Sequence, residues 1–272
     1  MTLPNFIGIG VQRAATTWLH DCLNEHPDIF LPVEKELNFF NQQFDLGIDW
    51  YRSKFSGADG QSAIGEITPL YLHTAPLDRI RATCPDAKLI VILREPVDRA
   101  YSCYKLMQEK FFADVTFSQA MATGRGSAIL SHSLYAEKLQ QTIGLFGRER
   151  LLVEIYDDVL QNPLQLLSRV CGHLGVDPEF VPSRLGVVTN RIIFPRLQRQ
   201  LQRVGLGAAV EAVKGSPLGP AIRRWSKRRQ TKVDTSSEML TFRESHADRF
   251  REDILQCQEI IGRDLSQWLT RI

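Results

Sequence analysis

The stretch from Phe6 to Leu19, FIGIGVQRAATTWL, constrains this chain more than any other. The apolar run Phe6-Ile7-Gly8-Ile9-Gly10-Val11 reads as a buried strand. Thr16-Thr17-Trp18-Leu19 then opens a helical pattern that runs toward Asn24, with Trp18, Leu19, Cys22 and Leu23 at helical spacing. Between the two lies a turn of small residues carrying one cation, Arg13. A strand that feeds a helix through such a turn aims several unpaired backbone N–H groups, and the positive end of the helix dipole, at one spot. That spot suits a phosphate.

The rest of the chain alternates strand and helix. Ile29-Phe30-Leu31 reads as a short strand, and Lys35-Glu36-Leu37-Asn38-Phe39-Phe40 as a strand end at a pocket or a solvated turn beside core phenylalanines. His26, before Pro27, reads as a turn or capping residue. A short helix is expected from Asp49 to Phe55, a buried strand from Ala63 to Pro69 and a helix from Ala75 to Cys84. Lys88-Leu89-Ile90-Val91-Ile92-Leu93 is the cleanest strand, an unbroken apolar run of the kind found inside a parallel sheet. It ends directly in Arg94-Glu95-Pro96, where Pro96 suits a helix start and Ser102 follows on that helix. Further helices are expected at Phe117–Met121 and Ser133–Phe146, separated by a Gly/Ser break at Gly124 to Ser127. Leu151–Tyr156 reads as a strand, Asp157 and Asp158 as caps of a helix that ends near Leu174-Gly175, and Phe250–Ile261 as an amphipathic helix. Trp268 is expected to pack back on the domain. The pattern argues for an α/β fold, a parallel sheet flanked by helices on both faces, as a single domain over residues 1–272.

Charge separates one segment from the rest. The chain holds 33 Lys and Arg against 31 Asp and Glu, a net of +2, so overall charge indicates no particular partner. The basic residues concentrate between Arg191 and Lys232, around a loose Gly/Ala/Pro segment from Gly205 to Pro220. A solvated lid or lobe is the expectation there, ahead of a nucleic-acid or acidic-membrane contact. Five scattered cysteines without CxxC spacing indicate neither a disulfide framework nor a zinc site. The first strand follows Met1 so closely that no signal peptide is expected. With no apolar run near the roughly 18 to 20 residues of a membrane span, the reading is a cytoplasmic protein without stable membrane insertion.

The first turn lacks the Gly-Lys pair of a Walker A loop before Thr16, and no apolar strand ends in an aspartate suited to magnesium. What remains is a cation three residues before a Thr-Thr pair, and a second strand delivering Arg94 and Ser102 to its carboxyl end. A ligand with two separated phosphate-like groups would match both. The order GVQRAATTWL, GEITPLYL and LIVILREPVDRAYSCY, together with the SLYAEKL helix and the GRDLSQW tail, resembles the PAPS-dependent sulfotransferases. Within them it is most similar to the branch of heparan sulfate sulfotransferases and their bacterial relatives. The resemblance covers nearly the whole chain and implies a P-loop-type fold. It also implies transfer of a sulfuryl group from 3′-phosphoadenosine 5′-phosphosulfate (PAPS) to a hydroxyl, or less readily an amine, of a carbohydrate, glycolipid or secondary-metabolite acceptor. The nucleotide product is then 3′-phosphoadenosine 5′-phosphate, and neither a metal nor a nucleic-acid partner is implied; the oligomeric state is open.

Carried over residue by residue, the resemblance implies that Arg13, Ala14, Ala15, Thr16, Thr17 and Trp18 hold the 5′-phosphosulfate, with Arg13 also stabilising the leaving oxygen. It implies that Arg94 and Ser102 take the 3′-phosphate, that Tyr135, Arg191 and Arg196 close over the nucleotide, and that Glu36 is the general base. The chain departs from the family pattern at Arg13 and Ala15, where the loop usually carries lysine and glycine. It departs again at Ile67, where some members have a lysine whose part could fall to Lys35. Two other readings are a P-loop-type nucleotide kinase and a sulfotransferase-like protein without catalysis that binds an acidic partner.

Overall fold

A computed structural model describes residues 2–112, 115–183, 185 and 235–270. Among them five strands form one parallel sheet: β1 (Phe6–Gly10), β2 (Ile29–Phe30), β3 (Ala63–Ile67), β4 (Lys88–Leu93) and β5 (Leu151–Ile155), in the order β2-β3-β1-β4-β5. Every residue of β1 and β3 is buried, so both faces of the sheet centre are covered. β1 and β3 lie close because Phe6 pairs with Gly65, where a Cβ would collide with the phenylalanine ring.

The chain leaves β1 toward β2 and β3 on one side, and leaves β4 toward β5 on the other. The connections therefore diverge at the carboxyl ends of β1 and β4, the edge at which an open α/β sheet leaves a crevice. Helices α1 (Thr16–Leu23), α2 (Gly47–Ser53), α3 (Tyr71–Thr74), α4 (Leu77–Thr83) and α5 (Pro96–Phe111) are followed by α6 (Phe117–Met121), α7 (Gly124–Ser131), α8 (Ala136–Phe146), α9 (Tyr156–Gln161) and α10 (Pro163–Leu174). A long helix, Thr235–Ile261, and a short one, Ser266–Leu269, complete the described elements. The site lies in the compact unit formed by Met1–Val188 with Met239–Ile272. The basic segment from Arg191 to Lys232 lies outside the described residues.

Several expectations are corrected. The Gly/Ser stretch from Gly124 is helix α7, started by Thr123, whose Oγ1 accepts from Gly126 N–H at 3.1 Å. Gly126 is needed there because a Cβ would run into the backbone of Ala120 and Met121, so the glycine is a contact between helices rather than a break. Helix α8 starts at Ala136 and not at Ser133, because its N-terminal N–H groups are capped by a distant carboxylate, Asp253. Asp157 and Asp158 lie inside the first turn of α9. Asp158 meets Arg169 and Arg263, each at 2.8 Å, and Asp157 accepts from Trp268 Nε1 at 3.1 Å, which fastens the buried Trp268 to the domain. The region from Lys35 is no strand. Glu36 and Asn38 take left-handed φ values of 61° and 52°, and a π-helical turn follows over Phe39–Gln43. The helix expected from Phe250 begins already at Thr235.

Candidate active site

The loop between β1 and α1 carries Arg13 at φ 73° and Ala15 at φ 62°. Ala15 is the N-cap of α1 and supplies no side-chain hydrogen bond; the first helical bond runs from Leu19 N–H to the Ala15 carbonyl at 3.0 Å. The N–H groups of Thr16, Thr17 and Trp18 precede that bond and are free of side-chain capping. Ala14, Ala15 and Trp18 are buried, and Trp18 Nε1 donates to Leu185 O at 3.2 Å, so these residues turn only backbone outward. Thr17 and Arg13 are half-buried.

Arg94 arrives from the neighbouring strand. Its Nη1 donates to the Arg13 carbonyl at 2.8 Å, and its guanidinium lies 4.5 Å over the Tyr156 ring. Arg13 Nε donates to Ser102 Oγ on α5 at 2.9 Å. The two sequence motifs, 81 residues apart at their arginines, thus meet at the crevice. Neither arginine is in an ion pair with a described residue. Burial lowers the pKa of Arg13, and the positive charge of Arg94 adds to that fall. An anion placed between them would relieve both effects. The N-terminus of α5 is not open in the same way: Glu95, its N-cap, accepts from Val97 N–H at 3.1 Å and Asp98 N–H at 2.7 Å.

Glu36 has a side chain about 40% exposed. Lys35 joins it to the loop: Lys35 Nζ donates to Thr17 Oγ1 at 2.6 Å and lies 3.6 Å from Glu36 Oε1. Burial pushes the Lys35 ammonium below the usual lysine range, against the charge of Glu36. The turn that presents Glu36 is held from below by Glu66, a buried carboxylate on β3 that sequence reasoning did not single out. Glu66 accepts from Tyr51 Oη at 2.7 Å, Tyr71 Oη at 3.0 Å and Thr68 Oγ1 at 2.7 Å, and the Leu37 N–H also faces it. Thr68 Oγ1 in turn accepts from Asn38 N–H at 3.4 Å, and Asn38 Nδ2 donates to the Glu36 carbonyl at 2.7 Å. Burial raises the Glu66 pKa, opposed by these donors.

The remaining expected residues fare differently. Tyr135 does not line the crevice: it is fully buried, and its Oη donates to the Arg94 carbonyl at 2.7 Å, because α8 is docked with this ring facing the core. Arg191 and Arg196 lie outside the described residues. Arg99, within the second motif, is buried and donates to Ser133 Oγ at 2.8 Å and to the Ile129 carbonyl, so it braces α7. Among the described residues no group of three or more His, Cys, Asp and Glu is placed to hold a metal ion, and no helix is long and apolar enough to cross a membrane.

Fold and site define an α/β protein with a parallel sheet and, at its carboxyl edge, two cations without an ion-pair partner among the described residues. A family model described as "Sulfotransferase family" matches residues 65–180. Human heparan sulfate glucosamine 3-O-sulfotransferase 3B1 is 34% identical over 184 residues, 64% of this chain and 46% of that protein. Membrane-associated sulfotransferase kil1 of Dictyostelium discoideum is 42% identical over 110 residues, 38% of this chain and 23% of that protein. The chain spans less than half the length of both these relatives. A solved sulfotransferase from Alicyclobacillus acidocaldarius shares the fold at a TM-score of 0.72 and 24% identity, covering 98% of this chain and 99% of that one. Residues 65–180 of the chain thus match the sulfotransferase family, and the chain shares the fold of a solved sulfotransferase.

Two outcomes follow from this geometry. Alanine in the left-handed region costs about 1 kcal/mol, so Ala15→Gly is expected to raise unfolding stability by about that amount in urea denaturation. A loss of stability would mean that the Ala15 side chain has a packing role that outweighs its strain. For Glu66, a folded pKa above the ordinary 4.5 means that the folded state holds the proton more tightly. Its contribution to stability is then full below pH 4.5 and declines as pH rises through the folded value. Glu66→Gln does not titrate, so the advantage of the parent over this variant should shrink from pH 4 to pH 7 in denaturation series. A growing advantage would contradict the assignment.

Proposed function

We propose that the chain transfers the sulfuryl group of PAPS to a hydroxyl of an acceptor, with a glycan as the first class to test. The observation that carries this reading is the convergence of Arg13, Arg94 and Ser102 at the β1/β4 edge, with Glu36 tied through Lys35 to Thr17 at the start of α1. Two cations without counter-ions among the described residues fit a ligand with two anionic groups. The free N–H groups at the start of α1 suit the 5′ group, and Arg94 with Ser102 suits the 3′-phosphate. Two curated relatives are named for glycan chemistry, as heparan sulfate glucosamine 3-O-sulfotransferase 3B1 and heparan sulfate N-deacetylase/N-sulfotransferase 4.

In this mechanism Glu36 accepts the proton of the acceptor hydroxyl as its oxygen bonds to sulfur. The bond from sulfur to the bridging phosphate oxygen breaks in line, and Arg13 with the α1 N–H groups takes up the charge left on that oxygen. Lys35, bridging Thr17 and Glu36, neutralises charge between base and loop. Five cysteines, all unpaired and buried, support a reducing, cytoplasmic setting.

Transfer of labelled sulfate from PAPS across a panel of sugars, lipids and phenols tests the reading directly. Glu36→Gln is expected to keep nucleotide affinity and to lower turnover by roughly 10²- to 10⁴-fold, the contribution of a positioned base. Unchanged turnover would remove Glu36 from the chemistry. A parent protein inert toward every acceptor, yet binding polyanions in a salt-sensitive way, would instead favour a non-catalytic binding role. Arg94→Ala should weaken 3′-phosphoadenosine 5′-phosphate by about tenfold or more, as the loss of a charge-assisted contact does. Adenosine 5′-phosphate should lose less, only what the Arg94 bond to the Arg13 carbonyl contributes to holding the 5′ loop; equal losses in calorimetry would contradict the role of Arg94.

A further inference from the structure

The long helix Thr235–Ile261 grips the surroundings of Arg94 at two points. Arg243, on its first half, is buried and donates from Nη2 to Glu95 Oε2 at 2.9 Å and to Asp98 Oδ1 at 2.7 Å. Ten residues further on, about 15 Å along the helix axis, Asp253 accepts from the N–H groups of Tyr135, at 2.9 and 3.0 Å to its two oxygens, and of Ala136 at 2.9 Å. Each grip ends one covalent or one hydrogen bond from Arg94. Glu95 is its chain neighbour and the N-cap of α5. Tyr135, fixed by Asp253, donates its hydroxyl to the Arg94 carbonyl. The backbone of Arg94 is therefore clamped on both sides by residues that answer to a single helix. Both gripping residues lie beyond the residues matched by the family model.

The charges make the first grip more than mechanical. Glu95 is a buried carboxylate next in the chain to the cation that would meet a phosphate. Burial drives its carboxyl toward the neutral form, and the Arg243 hydrogen bond and charge are the main opposing influences. Without Arg243, Glu95 either takes a proton, which weakens its cap on α5, or stays charged and repels an anion at Arg94. Arg243 keeps one nitrogen, Nη1, buried and without a partner among the described residues. A buried cation left partly unsatisfied gains little stability by itself.

We propose that Arg243 and Asp253 are positioning residues for Arg94, so that the helix Thr235–Ile261 sets the selectivity of the site for a 3′-phosphate without touching the nucleotide. The inference rests on the reading of Arg94 as the 3′-phosphate contact. The deciding measurement is calorimetric binding of 3′-phosphoadenosine 5′-phosphate and of adenosine 5′-phosphate to the full chain, to Arg243→Met and to Asp253→Asn. The expected result is about a tenfold loss for the first nucleotide, mid-range for coupling within one hydrogen-bonded network, with the second unchanged. If the parent protein does not distinguish the two nucleotides, the reading of Arg94 fails and the inference with it. If the parent distinguishes them and the variants keep the same ratio, or lose both nucleotides equally, the reading stands and the positioning role is overturned. Should Arg243→Met not fold, Arg243→Lys, which keeps the charge but not the fork geometry, decides by the same ratio.

Discussion

The hydrogen bond from Arg94 to the Arg13 carbonyl is the contact on which the candidate site depends. It joins the loops that follow two adjacent parallel strands, and it brings two guanidinium groups together at an edge where neither has a counter-ion among the described residues. Like charges do not converge in this way unless a scaffold holds them. Here the scaffold is the pairing of β1 with β4, with Ser102 on α5 accepting from Arg13. The result is a preorganised excess of positive charge, the electrostatic condition for holding an anionic ligand and for taking up charge on a leaving oxygen.

The site is braced by buried carboxylates. Glu66 gathers Tyr51, Tyr71, Thr68 and the Leu37 N–H, and so fixes the left-handed turn that carries Glu36. Near Arg94, Glu95 caps α5 and is matched by Arg243, while Asp253 caps α8 and seats Tyr135. All three serve N–H or O–H donors that would otherwise lack partners, and none is itself proposed to touch a ligand. The strain in the site, in contrast, sits in the loop: Arg13 and Ala15 occupy the left-handed region that glycine would enter at lower cost.

Much of this was legible in the chain. The strand Lys88–Leu93 and the helix Phe117–Met121 lie where an apolar run and a short helical pattern place them, and α1 begins at Thr16 as expected. That Arg13, Arg94 and Ser102 gather at one edge accords with the rule that ligands meet the carboxyl edge of a parallel sheet. The sequence grouped Ser102 with Arg94, whereas in the structure Ser102 accepts from Arg13. Other features could not be read in advance. Helix α8 begins three residues later than its local sequence suggests because Asp253, more than a hundred residues away, supplies the cap. Gly124 to Ser127 looks like a break because glycine signals a turn locally, whereas Gly126 serves a helix contact visible only once α6 and α7 are packed. Tyr135 was placed over the nucleotide, but the docking of α8 turns its ring into the core.

The sequence alone determined the order of strands and helices, the apolar centre of the sheet, and the two cationic motifs after β1 and β4. These are local matters of periodicity, turn chemistry and residue type, all of which act within a few residues. Tertiary structure alone decided which carboxylates are buried, what they hold, and which way Tyr135 faces. Those outcomes depend on donors brought together from distant segments, and a buried charge is tolerated only where such donors converge.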